Sequence, residues 1–463
     1  MNLMSVAELA AAVSASAVLG DGATAFSSVS TDTRTLEPGA LFVALRGERF
    51  DGHDYARRAV ELGAVALLLE RTLEADVPQI VVADARRALG LGAADWRARF
   101  SLPVIAVAGS NGKTTVTQMI ASILARAYGE PQRLATRGNL NNEIGVPLML
   151  WQLTKRHKAA VLELGMNHPG EIAWLAQLMR PTVALVNNAQ REHQEFMQSV
   201  EATAHENGEV ISALPLDGAG VAVFPADDAC ASIWRALAGT RRVIDFALEA
   251  YAVVTATYEL KPEGARVSMA TPAGLVAAEL AVGGVHNVRN ALAATACALA
   301  IGVPPRAISA GLEAFRPVGG RGVRLRTRAG ALLIDDSYNA NPDSVRAAID
   351  LLAGSGRPRV LVLGDMGEVG ERGPEFHREV GTYARTRQVD ALFATGELTR
   401  EAVAAFGTGG QHFESVEPLV AALTTHIDPK ATVLVKGSRF MRMERVVQAL
   451  AQPTTDPAAA GVH

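Results

Sequence analysis

The chain has 463 residues, of which 49% are hydrophobic and 20% charged, and a formal net charge of −4 at neutral pH. That length exceeds one ordinary core and calls for roughly two to four domains. The composition excludes global disorder, and the charge argues against a general binder of nucleic acid or membrane surfaces. Cys230 and Cys297 lack metal-site spacing and are too few for a disulfide framework, which points to a reducing compartment, the cytoplasm.

Met1 to Ala12 has no basic segment and carries Glu8, so it does not read as a signal peptide. Residues before about Leu102 read as one unit, with strands at Ala40 to Leu45, Val65 to Leu69 and Gln79 to Val82, and a helix from Asp54 to Leu62. Two polar clusters lie among them: Ser30, Thr31, Asp32, Thr33 and Arg34, and the run from Arg46 to His53. Turn chemistry accounts for Asp51-Gly52 alone. The arginines, hydroxyls and acids together suit an anionic ligand equally well.

Val104 to Ala108 is apolar and partly β-branched, the pattern of a covered strand, and it runs into Gly109, Ser110, Asn111, Gly112, Lys113, Thr114 and Thr115. Glycines at 109 and 112 allow a tight bend that turns backbone N–H groups onto phosphate oxygens. Lys113 reaches outer phosphates, and Thr114 or Thr115 offers a hydroxyl to Mg²⁺. The chain has only six lysines, so a lysine at this point favours a phosphate loop over an ordinary turn. A helix follows, with apolar residues at Val116, Met119, Ile120, Ile123 and Leu124.

Beyond it strand and helix alternate: Ala159 to Leu164, Glu171 to Leu178, then Val183 to Val186. Alternation predicts a parallel sheet with ligands at the carboxyl ends of its strands. Polar residues fall at those ends, in Thr136 to Glu143 (with Asn139, Asn141 and Asn142), at Glu163, and at Asn187-Asn188, with His193 soon after. Glu163 closes an apolar strand, where an acid needs a partner; Mg²⁺ suits it. His193 is flanked by polar residues and reads as a surface residue unless the fold brings it to Glu163. The stretch from Ala291 to Pro304 is too short to span a bilayer and reads as a buried helix. In the preceding His286-Asn287-Val288-Arg289-Asn290, asparagines suit an adenine edge, although helix capping by Asn287 is the simpler reading.

A third alternating unit begins after Arg316-Pro317, with strands at Leu332 to Asp335, Val360 to Leu363, Ala391 to Ala394 and Thr432 to Val435. Arg321, Arg324, Arg326 and Arg328 form a basic run before its first predicted strand; such runs usually face solvent, although one arginine of the run can meet phosphate. Three of its strand ends are polar: Asp335-Asp336-Ser337-Tyr338-Asn339-Ala340-Asn341-Pro342, Gly364 to Glu368, and Lys436-Gly437-Ser438-Arg439. Together they predict a binding face. The tail from Pro453 reads as disordered.

The phosphate loop, Gly284 to Asn290 and the acid-bearing strand at Glu163 resemble the Mur ligase superfamily. The segments 139–145, 163–168, 335–342, 363–366 and 436–439 are similar to its branch that adds D-alanyl-D-alanine. The resemblance covers nearly the whole chain. It implies an α/β architecture in three domains: a small mixed α/β substrate domain at 1–100, a central parallel-sheet ATP-binding domain at 101–315, and a Rossmann-like domain at 316–453, with a tail at 454–463.

The resemblance also implies an ATP- and Mg²⁺-dependent ligase that joins D-Ala-D-Ala to UDP-N-acetylmuramoyl-tripeptide through an acyl phosphate. Its partners would be small molecules only, and the chain a monomer. It assigns Lys113, Glu163 and His193 to catalysis, and Thr114, Glu163 and His193 to the metal. Residues 109–115, Asn287, Asn290, Arg321, Asp336 and Asn339 go to the nucleotide. Ser30, Thr31, Asp32, Arg34, Arg46, Asn139, Asn141, Asn142, Lys436, Ser438 and Arg439 go to the other substrates.

One position departs from the family pattern. Members of the superfamily commonly place a carbamoylated lysine where this chain has Asn207, and no lysine occurs between Lys158 and Lys261. The expectation is that no carbamate forms and that Asn207, with Glu206, orients a second metal or its water. The competing readings are a ligase adding the third peptide residue, a folylpolyglutamate synthase, and a non-catalytic nucleotide switch. Asn339-Ala340-Asn341-Pro342-Asp343 lacks the arginine of the diaminopimelate-adding motif. A folate enzyme has no use for the Ser30 to Arg34 cluster, and a switch has none for the polar strand ends.

Overall fold

The computed structural model describes residues 2–192, 194–261 and 263–452. His193 and the tail expected at 454–463 lie outside the described residues. Three larger sheets follow one another along the chain. The first has the strand order Ala17–Leu19, Gln79–Val81, Ala66–Leu69, Ala40–Val43, Ser28–Ser30, parallel except for its first pair. The second is wholly parallel: Arg242–Val243, Val221–Val223, Val183–Val186, Val104–Ala108, Ala159–Glu163, Arg133–Ala135. The third runs Val323–Arg326, Leu332–Asp336, Thr432–Lys436, Arg359–Gly364, Ala391–Thr395, Gly410–Phe413, with only its first strand antiparallel. The predicted strands of the second and third sheets match to within a residue or two, because each is a short apolar run between polar breaks. The α/β class expected from the sequence is the class observed.

The first unit has a small core of its own on one face of its sheet, around Phe42, Leu67 and Leu69, and shares the core on the other face with the second unit. Helix Ala85–Ala98 packs between the first sheet and the second, with Trp96 stacked on Trp151 at a 6.2 Å centroid separation and Phe26 edge-on to Trp151 at 5.9 Å. Arg97, buried in this seam, donates to the Met179 carbonyl at 3.0 Å and the Arg180 carbonyl at 3.2 Å. The third unit has separate cores on the two faces of its sheet. Among the described residues, no helix is long and apolar enough to cross a membrane; the Ala-rich Val285–Ala300 is a buried helix of the second unit.

Sequence reading missed a twisted sheet of Phe246–Ala247, Val254–Lys261, Gly264–Thr271 and Gly274–Leu280, whose three long strands are antiparallel. The period-2 signal was present in Val267, Met269, Val276, Ala278 and Leu280, all buried on one face.

Candidate active site

The phosphate loop leaves strand Val104–Ala108 and enters helix Lys113–Tyr128. Gly109 and Gly112 have φ of +131° and +79°, values that side-chain-bearing residues rarely adopt. A Cβ at Gly112 would also lie 2.5 Å from Asn290 Oδ1. Glycine is therefore required there by conformation and by space. The loop is held from outside its own backbone. The Gly109 N–H donates to Asn207 Oδ1 at 2.9 Å, and the Asn111 N–H donates to Asn188 Oδ1 at 2.8 Å. Lys113 Nζ rests on the Gly109 and Ser110 carbonyls at 2.7 and 3.1 Å and on Glu192 Oε1 at 3.0 Å.

Glu163, 3% exposed, ends the neighbouring strand. Its carboxylate accepts the Thr114 hydroxyl at 2.8 Å and Asn141 Nδ2 at 2.8 Å, while its backbone N–H is fixed by Thr136 Oγ1 at 2.9 Å. A carboxylate and a hydroxyl in contact beside a phosphate loop fit Mg²⁺, which takes one or two protein oxygens and completes its shell with phosphates and water. Thr114 and Glu163 are the described residues that would hold it. No group of three or more His, Cys, Asp or Glu side chains placed to hold a metal occurs among the described residues.

Across from the loop stand the third sheet's strand ends, and the two sides line one cleft of about 1330 Å³. Lys436, 4% exposed, donates to Asp336 Oδ2 at 2.6 Å and to the Asn339 carbonyl at 2.9 Å. Arg321 lies over the Tyr338 ring at 4.0 Å, and Arg439 stands 5.9 Å from the same ring. Of the basic run, Arg321 is the arginine that stands in the cleft wall. Ser438 is committed to backbone: its hydroxyl accepts the Gly367 N–H and donates to the Ala340 carbonyl. His286 opens onto the cleft, where desolvation pushes its imidazole below the usual value; Asp336 opposes that shift and Lys436 adds to it. Burial likewise raises Asp335 against its bonds from Ser337 and Gly320.

Of the residues singled out in the sequence, 110–115, Asn139, Asn141, Asn142, Glu163, Asn287, Asn290, Arg321, Asp336, Asn339, Lys436, Ser438 and Arg439 line this cleft. Gly109 sits behind it. Ser30, Thr31, Asp32, Arg34 and Arg46 do not line it; they lie on the first unit, where Arg34 forks onto Asp32 at 2.6–3.0 Å. Asn287 does not cap its helix. Gly284 holds that position, and Asn287 Nδ2 donates to the Gly283 carbonyl at 2.8 Å. Asn290 accepts Asn187 Nδ2 at 3.0 Å and donates to Asn287 Oδ1 at 3.1 Å, on the cleft wall beside Gly112.

The expected metal role of Asn207 and Glu206 is not what the structure shows. Asn207, 1% exposed, spends its carbonyl on Gly109, and the Glu206 carboxylate accepts the Gly170 and Ile172 N–H groups at the start of helix Glu171–Met179. A carboxylate at a helix N-terminus is already satisfied by orphan amides.

Three family models match in chain order: "Mur ligase family, catalytic domain" over residues 25–97, "Mur ligase middle domain" over 107–298 and "Mur ligase, glutamate ligase domain" over 320–439. The UDP-N-acetylmuramoyl-tripeptide--D-alanyl-D-alanine ligase of Escherichia coli K12 is 42% identical over 92% of this chain and 94% of its own length. A crystal structure of MurF from Acinetobacter baumannii superposes with a TM-score of 0.90 at 35% identity, covering 97% of this chain and 99% of that one. MurF from Thermotoga maritima in complex with ADP gives 0.79 at 26% identity, covering 91% and 96%. Residue for residue and fold for fold, the chain belongs to the Mur ligase family.

Proposed function

We propose that this chain joins D-Ala-D-Ala to UDP-N-acetylmuramoyl-tripeptide at the expense of ATP, giving the pentapeptide precursor of peptidoglycan, ADP and phosphate. The observation that carries this reading is the single cleft shared by the phosphate loop, the Thr114–Glu163 pair and the Asp336–Lys436 strand ends. An amide ligase must bring a nucleotide, a carboxylate and an amine to one point, and this cleft is walled by two domains that can do so.

The N–H groups at the start of helix Lys113–Tyr128 and the Lys113 ammonium bind the phosphates of ATP and offset charge on the transferring phosphoryl group. Thr114 and Glu163 would hold Mg²⁺, which would supply Lewis-acid neutralisation of phosphate oxygens. The tripeptide carboxylate attacks the γ-phosphorus, ADP leaves, and an acyl phosphate forms. The D-Ala-D-Ala amine then attacks the acyl carbon; the C–O bond to phosphate breaks, and the amine loses a proton. Lys436, fixed by Asp336, places a positive charge on the wall opposite the loop, suited to the carboxylate of the incoming dipeptide. Closure of the third unit excludes water that would hydrolyse the acyl phosphate.

Ser30, Thr31, Asp32, Arg34 and Arg46 hold the UDP end on the first unit, His193 adds a metal ligand from the segment after Glu192, and the boundaries near residues 100 and 315 separate the three substrate roles. The enzyme works as a monomer in the cytoplasm. Amine-dependent phosphate release tests the reading, with the lysine- and diaminopimelate-containing tripeptides each offered D-Ala-D-Ala. D-Ala-D-Ala should drive release, whereas diaminopimelate or glutamate acting on a shorter acceptor in its place would overturn the assignment.

A further inference from the structure

The segment 188–192 runs along the phosphate loop, and its residues divide between two domains. Asn188 takes the Asn111 N–H on Oδ1 and the Ser110 N–H on its carbonyl, at 2.8 and 3.1 Å, and returns Nδ2 to the Asn111 carbonyl at 2.9 Å. Gln190 gives its N–H to Ser110 Oγ at 2.9 Å and accepts Asn111 Nδ2 at 2.6 Å. Glu192 contacts Lys113. Between them Arg191 turns the other way. Its backbone N–H donates to Asp343 Oδ2 at 2.9 Å, and its guanidinium spans both Asp343 oxygens and both Glu379 oxygens at 2.6–3.1 Å. Arg346 shares Glu379 at 2.7 Å, and the Phe376 ring lies 5.3 Å from the Arg191 guanidinium.

Asp343 sits in the first turn of helix Pro342–Ala353, whose N-cap Asn341 meets the phosphate loop directly. Asn341 Nδ2 donates to Asn111 Oδ1 at 2.9 Å, and Asn111 Nδ2 reaches Asn341 Oδ1 at 3.3 Å. The same loop residue, Asn111, is thus gripped by 188 and 190 on one side and by the third unit on the other.

We propose that Arg191 is a positioning residue that sets the C-terminal domain against the phosphate loop, coupling nucleotide binding there to domain closure. A guanidinium that forks onto two carboxylates from two helices, Pro342–Ala353 and Gly373–Thr386, fixes an orientation as well as a distance; a lysine ammonium fixes neither. Nucleotide phosphates seat on the N–H groups at the start of helix Lys113–Tyr128 and so fix the loop, while the Ser110 and Asn111 N–H groups, held by Asn188, carry that order through 188–190 to Arg191. The coupling is reciprocal: a domain already seated by Arg191 raises the share of molecules able to bind and so strengthens nucleotide binding. The inference rests on nucleotide binding at this loop, and not on which amine is joined.

Cysteines introduced at exposed Arg156 and Arg385 report the distance between the two domains by double electron–electron resonance; the native Cys230 and Cys297 are buried. Binding of a non-hydrolysable ATP analogue is measured on the same proteins. Arg191→Ala should broaden and lengthen the distance distribution without nucleotide and weaken the analogue by about tenfold or more, the scale of lost charge-assisted bonds. KM for ATP should rise while kcat at saturation stays within about threefold, a split that general loss of structure would not give. Arg191→Lys, which keeps charge and bulk, should change in the same sense, and Asp343→Ala combined with Arg191→Ala should lose less than the sum of the two single variants. Wild-type distances and affinity in Arg191→Lys and Asp343→Ala, or strictly additive losses, would overturn the proposal. The distance arm needs no substrate, so a wrong amine assignment would leave it readable.

Discussion

Asn207→Ala isolates the contact that holds the first amide of the phosphate loop. Asn207 is 1% exposed, and its Oδ1 lies 2.9 Å from the Gly109 nitrogen. Alanine leaves that N–H buried without an acceptor, at a cost of ~1–3 kcal/mol. Some of this is returned, because Asn207 Nδ2 has no hydrogen-bond partner among the described residues and its removal relieves an unsatisfied donor. A net loss of about 1–2 kcal/mol follows. Asn207→Leu fills the same space without the acceptor, so a similar loss in both variants assigns the effect to the hydrogen bond and not to a cavity. Gly109, at φ +131° with a would-be Cβ 2.9 Å from the Asn187 nitrogen, has little room to relax elsewhere. A displaced Gly109 amide should therefore also raise KM for ATP, by about three- to tenfold. Urea unfolding at constant m-value gives the first quantity and coupled phosphate release the second. A change below about 0.3 kcal/mol with unaltered KM in both variants would refute the reasoning, since an anchored buried amide cannot lose its acceptor at no cost.

Other consequences can be checked in the same assays. Glu163→Gln keeps the shape and an acceptor for Thr114 or Asn141, so the melting temperature should move little, while activity falls at least about a hundredfold and the Mg²⁺ requirement rises; a Mg²⁺ titration curve matching wild type would count against it. His377 is buried, accepts the Met366 N–H on Nε2 at 3.0 Å and contacts the Gly373 carbonyl through Nδ1 at 2.7 Å, a pairing that requires the neutral ring. Desolvation holds its folded pKa below the unfolded value of about 6.5. Its contribution to stability is full above about pH 6.5 and is lost as pH falls from there through the lowered folded value, by up to ~1.4 kcal/mol per pH unit. Denaturation of wild type and His377→Gln at pH 7.5 and 5.5 should show a shallower decline in the variant, and parallel declines would remove His377 as the cause. Gly311→Ala should destabilise by ~2 kcal/mol or more, because its Cβ would sit 2.4 Å from the Ile123 backbone where helix Pro305–Ala314 crosses the phosphate-loop helix; thermal unfolding measures it.

The parts of this enzyme that were legible in the sequence are those written in local patterns. Buried parallel strands read as apolar runs, and the polar residues that end them, Glu163, Asp336 and Lys436, fall where a parallel sheet collects its ligands. Gly109 and Gly112 announced the loop because their backbone angles admit little else. What stayed hidden depends on residues far apart in the chain. Arg191 sits in a charged run that looks like surface, and its partners Asp343 and Glu379 lie more than a hundred residues away. Asn207 stood in the position expected to serve a metal, but its neighbour is a backbone amide 98 positions earlier. Glu206 looked equally free, yet a helix N-terminus occupies both its oxygens. The fusion of the first and second cores through Trp96 and Trp151 was invisible for the same reason.

The most direct test of the central claim follows an oxygen atom. The accepting carboxylate of the UDP-linked tripeptide is labelled with ¹⁸O and turned over with ATP and D-Ala-D-Ala, and the inorganic phosphate is examined by mass spectrometry. If the carboxylate attacks the γ-phosphorus at the cleft between the Gly109–Thr115 loop and the Asp336–Lys436 strand ends, each phosphate released carries one labelled oxygen. Phosphate free of label, at a turnover that still yields the amide, would contradict the account.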